Sequence, residues 1–234
     1  MSSARALAES IHPSLWRASQ LARGVGRTVS TGYADLDAEL PGAGWPSGAL
    51  VEFLTQRTGV GEMRLLAPAL AVSKRPIVLL QPSATPNIAG LAYVGLPAEN
   101  LLMLTPKSSA DALWSAEQIL RTGSCGALLF WQSHVRADSL RRLQLAAKSG
   151  DTLFFVMRHL AAAADPSPAE LRLALRAADG GKVQVEIVKR KGPTCDRTLV
   201  IDARPSPILL SRHGRGRRVN GGSELVDIQE KAHA

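Results

Sequence analysis

An α/β fold with a mostly parallel central sheet, flanked by helices and carrying an antiparallel extension, follows from three observations on this 234-residue sequence. Short apolar runs at 49–54, 77–81, 126–131 and 152–157 are bounded by turn residues and read as buried strands. Stretches with helical spacing of apolar residues lie between them, and alternation at this length builds a parallel sheet covered on both faces. Beyond residue 170 period-two stretches appear, clearest in VQVEIV, and these read as the antiparallel extension.

Taken in order, residues 1–27 form an N-terminal appendage, expected as two short alanine-rich helices parted at Pro13, with Trp16 as a packing anchor. Residues 28–204 form the core domain and 205–234 an Arg- and Gly-rich disordered tail. The lead-in 28–47 holds a short helix at 33–40 that Ser30 or Thr31 can cap. Asp35, Asp37 and Glu39 alternate within it, but Leu40 stands where a calcium loop needs its turn glycine, so a solvated helix face is expected. The strand at 49–54 leads through Gly59 and Gly61 into a helix over 63–73, opened by apolar Met63, Leu65 and Leu66 and kinked at Pro68. A strand at 77–81, a helical patch at 87–93 and a strand at 100–104 follow. The helix at 109–121 places Leu113, Ala116 and Leu120 on one face and stops at Gly123. The helix at 137–148 turns Leu140, Leu143 and Ala147 inward and Arg141, Arg142 and Lys148 outward. Trp114, Trp131, Phe154 and Phe155 are expected to pack in or near the core. The stretches 170–175, 182–189 and 198–202 supply the antiparallel extension.

Bulk properties narrow the function classes. Hydrophobic residues make up 45% and charged residues 21%, ordinary for a soluble α/β protein. No apolar stretch approaches the roughly 18 residues of a membrane span, and the first residues lack the continuous apolar segment of a secretory signal. Cys125 and Cys195 stand alone, so reduced thiols and a cytoplasmic location, without a membrane partner, are expected. The five histidines form no cluster, and neither a metal nor another cofactor is expected. A net charge of +8 is compatible with nucleic acid or an acidic partner.

The stretch GALVEFLTQRTGVGEMRLL has the strand, glycine turn and helix start of a phosphate-binding loop. Such a loop needs G-x-x-x-x-G-K-[ST], with lysine on the phosphates and a hydroxyl on magnesium. Here the first glycine falls at Gln56, the lysine at Glu62 and the hydroxyl at Met63. A carboxylate repels a triphosphate, and a thioether is a poor ligand for a hard cation. The loop is a degenerate P-loop.

The order of lead-in, strand, loop, helix and alternating strands resembles the RecA core. GALVEFL sits where recombinases have the strand entering the P-loop, and GLPAENLL resembles their approach to the third strand. By that resemblance the acid that positions water falls near Ser83 and the Walker B carboxylate falls at Trp131. With Gln56, Glu62 and Met63 these make five departures, so the resemblance implies a RecA-like core that is not an enzyme. HPSLWRASQLAR, STGYADLDAELPGAGWPSGALVEFL, GVGEMRLL, ALWSAEQILRTGSCGALLFW, RRLQLAAKSGDTLFFVMR and SPAELRLAL followed by VKRKG together resemble the ImuA family over about residues 12–204. That family implies a non-catalytic accessory role in SOS-induced error-prone translesion DNA synthesis. Its implied partners are an ImuB-like Y-family polymerase relative, RecA and the α-subunit of an error-prone replicative-type polymerase. The same degenerate core also resembles the SulA family of SOS-induced division inhibitors that bind FtsZ.

Three groups of residues are candidate contacts. Gly59, Gly61, Glu62 and Arg64 form the mouth of the altered loop, either as a protein-binding surface or with Glu62 simply favourable at a helix N-terminus. Lys189, Arg190 and Lys191 form a basic strand end that could meet DNA or a partner at the carboxyl end of the sheet, or be a solvated face. Arg212, Arg215, Arg217 and Arg218 form a flexible basic segment, either an electrostatic tether to DNA phosphates near the nucleoid or a solubilising tail. Three classes of function follow: an adaptor, a division inhibitor, or an active ATPase.

Overall fold

Ten strands, five α-helices and three short 3-10 helices account for the regular structure in a computed structural model that describes residues 26–96, 98–192 and 197–204. The strands are β1 Thr28–Val29, β2 Trp45–Pro46, β3 Leu50–Thr55, β4 Ile77–Leu80, β5 Leu101–Leu104, β6 Ala127–Trp131, β7 Leu153–His159, β8 Leu171–Ala177, β9 Val183–Lys189 and β10 Thr198–Ile201. The helices are α1 Ala34–Glu39, α2 Glu62–Ala71, α3 Ile88–Tyr93, α4 Ser109–Thr122 and α5 Ala137–Ala147. Nearly all of the 1–27 appendage, Cys195 and the whole 205–234 tail lie outside the described residues.

β1 and β2 form a small antiparallel pair, and the other eight strands form one sheet in the order β10-β9-β8-β3-β7-β6-β4-β5. From β8 to β5 every pairing is parallel, while β9 runs against both β8 and β10. This corrects the expectation for 170–175. β8 belongs to the parallel part, paired Val51 to Leu171 and Phe53 to Leu173 along β3, and only β9 is reversed. The burial of Leu171 through Leu175 fits a parallel strand covered on both faces.

The pleat splits the core in two. Val51, Phe53, Phe155 and Met157 pack towards Leu36 of α1 and Leu65, Leu66 and Leu70 of α2. Trp45 joins them, with its ring centroid 5.6 Å from that of Phe53 and 5.5 Å from that of Phe155. Leu50, Phe154, Val156, Leu128 and Phe130 face the other way, onto Ala112, Ala116 and Leu120 of α4 and Leu140, Leu143 and Ala147 of α5. Both amphipathic helices thus bury the faces that their spacing predicts. α4 stops at Gly123, whose φ of 59° is left-handed.

Pro68 does not interrupt α2. A proline lacks the N–H that would bond the carbonyl four residues back, here that of Arg64. The Tyr33 hydroxyl donates to that oxygen instead, at 3.0 Å. Gly32, with φ 84°, lets the ring in, since a Cβ there would lie 2.4 Å from Pro68 Cβ.

Three local expectations are corrected. Neither Ser30 nor Thr31 caps α1; the Asp37 carboxylate accepts from the Ser30 hydroxyl and the Thr31 N–H and tightens the entry turn. Asp37 and Glu39 are half-buried with partners, so the acidic alternation is more than a solvated face. Trp114 is 63% exposed on α4, away from the core assigned to it, because its position falls off the Ala112–Ala116–Leu120 stripe.

Candidate functional site

The loop after β3 is built around its own carboxylate. Gly59 and Gly61 adopt φ of 82° and 115°, which aims their N–H groups inward. Glu62 Oε1 accepts from the Gly59 N–H at 2.7 Å, and Oε2 from the Gly61 N–H at 3.0 Å. Glu62 is 5% exposed at the first position of α2. Backbone donors at a helix N-terminus are where a phosphate would be cradled; here a side chain of the same sign fills that place. The favourable helix-end reading of Glu62 therefore has its geometry, and its burial leaves little of the residue at the surface. Met63 is half-buried against the core. Arg64 donates from its guanidinium to the Gly181 carbonyl at 2.9 Å, which ties α2 to the turn between β8 and β9. Gly61 is closed in as well, since a Cβ there would meet Val183 Cγ2 at 2.5 Å.

Beside this loop, a cleft of 740 Å³ opens at the carboxyl ends of β3, β4, β6 and β7. Of the neighbouring strands β6 and β4, whose ends both line it, the chain leaves β6 for β7 on one side and β4 for β5 on the other. Open α/β sheets bind ligands where connections diverge in this way. Ser83 and Trp131 both line the cleft, so the structure brings together two of the positions that the sequence marks as altered. Ser83 is exposed, and Trp131 is half-buried against the core as expected. Gln132 spans the next turn, donating to Ser109 Oγ at 3.2 Å and to the His134 carbonyl at 3.3 Å.

The basic strand end is elsewhere. Because β9 is antiparallel, with Lys189 beside Arg172 at the start of β8, Lys189, Arg190 and Lys191 lie at the amino end of the parallel strands. That corrects their assignment to the carboxyl end. All three are held by the fold: Lys189 donates to the Ser167 carbonyl at 2.8 Å, Arg190 pairs with Glu39 at 3.1 Å, and Lys191 pairs with Glu170 at 2.8 Å. Arg212, Arg215, Arg217 and Arg218 lie outside the described residues.

Sequence reasoning missed a buried ionic network on β3. Glu52, at 0% exposure, receives Arg158 of β7 at 3.0 Å and Arg172 of β8 at 2.5 Å. Ser167 also donates to Glu52 at 3.0 Å. Arg172 then donates to the carbonyls of Ala162, Ala163 and Asp165, which anchors the crossover from β7 to β8. The signal was an acid inside one apolar run and arginines in or beside two others.

Other chemistry is sparse. Burial pushes the Cys125 thiol above its usual range. Burial also raises Tyr33, partly offset by the neighbouring Arg64 charge. Among the described residues, no group of three or more His, Cys, Asp and Glu could hold a metal ion, and no helix is long and apolar enough to cross a membrane.

The chain is similar to the cell division inhibitor SulA of Yersinia pestis and to that of Yersinia pseudotuberculosis. Each is 30% identical over 117 residues, covering 49% of this chain and 70% of the relative. No protein-family model matches the chain.

Proposed function

The chain belongs to the same family as these SulA cell division inhibitors, and from that premise we propose that it is a non-catalytic, protein-binding scaffold of the SOS response. The observation that carries the non-catalytic part is the Glu62 carboxylate on the Gly59 and Gly61 N–H groups. A phosphoryl-transfer site needs those donors, a lysine and a magnesium ligand turned on the nucleotide. This loop turns its donors on itself. The parallel sheet with the loop strand in its interior supports a RecA-like core whose P-loop is degenerate.

Within that class the adaptor of the ImuA type is the reading we favour, joining an ImuB-like polymerase relative, RecA and an error-prone polymerase α-subunit at damaged DNA. Its support is the extent of the sequence resemblance, about residues 12–204, against the 117 residues shared with SulA. Titration with magnesium and ATP should give no saturable binding, and a purified ImuB-like protein should be retained by the immobilised chain. Saturable nucleotide binding would overturn the first part, and no association would overturn the second. The identity to SulA favours a second reading, a division inhibitor; it requires that the chain block FtsZ assembly in vitro and filament cells when overproduced.

A further inference from the structure

The lining of the 740 Å³ cleft contains no carboxylate. Arg57 and Arg136 stand exposed at its edge, and neither guanidinium has a hydrogen-bond or ion-pair partner among the described residues. His134 and His159 are exposed at the same edge. The His159 Nδ1 accepts from the Ala161 N–H at 3.2 Å, so its Nε2 is a donor. α4 and α5 both begin at the cleft, each with an acid in its first turn, Asp111 and Asp138, so the positive charge at the cleft is carried by Arg57 and Arg136 and not by the helix ends.

Apolar side chains lie among these donors: Pro82, Leu113, Trp131, Val135 and Met157. One buried acceptor is also unmet. Gln81 is held at φ 52°, a strained conformation for a residue other than glycine, and its buried Oε1 accepts no hydrogen bond.

We infer that this cleft is a docking site for an acidic, amphipathic peptide segment of a protein partner. Carboxylates would meet Arg57 and Arg136, apolar side chains would rest on Leu113, Trp131 and Met157, and a peptide N–H would supply the donor that Gln81 lacks. A phosphodiester backbone satisfies the cations alone: it carries no donor, and Trp131 is the one Phe, Tyr or Trp ring in the lining for base stacking. A nucleoside triphosphate lacks its cradle, which Glu62 fills. Arg clusters reading acidic motifs are a recurring mode of peptide recognition. The inference rests on the adaptor reading for the existence of a protein partner.

The test uses the full chain and a short fluorescein-labelled peptide that alternates Leu with Asp and Glu. Anisotropy should rise saturably and fall with added salt. The double variant Arg57→Glu/Arg136→Glu should bind at least about tenfold more weakly with unchanged circular dichroism, since both side chains are exposed and unpaired. The same peptide with Asn and Gln in place of the acids should bind no better than that variant does. Unchanged affinity in the variant, equal binding of the amide peptide, or no binding up to about 1 mM overturns the inference. So does capture of oligo-dT in preference to the peptide. Peptide binding with no retention of an ImuB-like protein would count against the adaptor reading alone, and the converse against the cleft alone.

Discussion

Replacing Glu62 by Ala tests the self-filled loop directly. The change removes two charge-assisted hydrogen bonds, at 2.7 Å and 3.0 Å, and an anion from the N-terminus of a ten-residue helix. Bonds to charged groups contribute about 1.5–3 kcal/mol each. The Gly59 donor is exposed and regains water, so it counts low; the Gly61 donor is buried and counts nearer the full amount. With about 0.3–1 kcal/mol from the helix end, the expected loss is about 5 kcal/mol. Urea unfolding measures it as a shift in midpoint at unchanged slope. Vacating the donors also creates an anion site. Sulfate at about ten times its dissociation constant should then return about 1.4 kcal/mol to the variant and leave the parent unmoved. A loss below about 1 kcal/mol, or sulfate stabilising both proteins equally, would refute the account of the loop.

Other outcomes follow from the same geometry. Glu52→Gln leaves Arg172, with its side chain 6% exposed, without a counter-charge and Arg158, at 3%, with only the exposed Asp165 carboxylate, and should cost at least about 3 kcal/mol in urea unfolding; a near-neutral result would mean that the network is not coupled to folding. Tyr33→Phe orphans the Arg64 carbonyl beside Pro68 and should cost about 1 kcal/mol, with faster amide exchange in the first turns of α2. The hydrogen bond from Arg75, at 2.7 Å, holds the Asp151 carboxyl below its usual range. A depressed carboxyl contributes stability above its unfolded pKa and loses it as pH falls through the folded one. Asp151 is largely exposed, so solvent discounts the effect, and carbon NMR is the better readout: Arg75→Ala should return its titration to the ordinary range.

Much of the scaffold was legible because it rests on periodicity. Leu113, Ala116 and Leu120 share a helical face, Gly123 ends that helix, and Phe154 and Phe155 are wholly buried, all as spacing alone predicts. Errors arose where local signals were decided by distant partners. The period-two reading of 170–175 came from polar Arg172 among apolar residues, and that polarity is absorbed by Glu52, far away in sequence. Lys189, Arg190 and Lys191 end their own strand, but because β9 is reversed that end lies with the amino ends of the parallel strands, across the molecule from the place expected for them. At the loop, the sequence showed what Glu62 could not do for a nucleotide; what the carboxylate does instead depends on two glycine dihedrals that no spacing specifies. The cleft was invisible because Arg57, Gln81, Arg136 and His159 come from the ends of four separate strands and the turns that follow them.

Gly32, Tyr33 and Pro68 also constrain the order in which this sequence can change. With Pro68 in place, a larger residue at 32 collides with its ring, and loss of the Tyr33 hydroxyl strands a helix carbonyl. Once position 68 regains an N–H, the demand on Tyr33 lapses, whereas Gly32 stays fixed by its φ of 84° and by the Cβ that any residue but glycine carries at 68. Relatives that replace the proline should therefore vary freely at 33 and still keep glycine at 32.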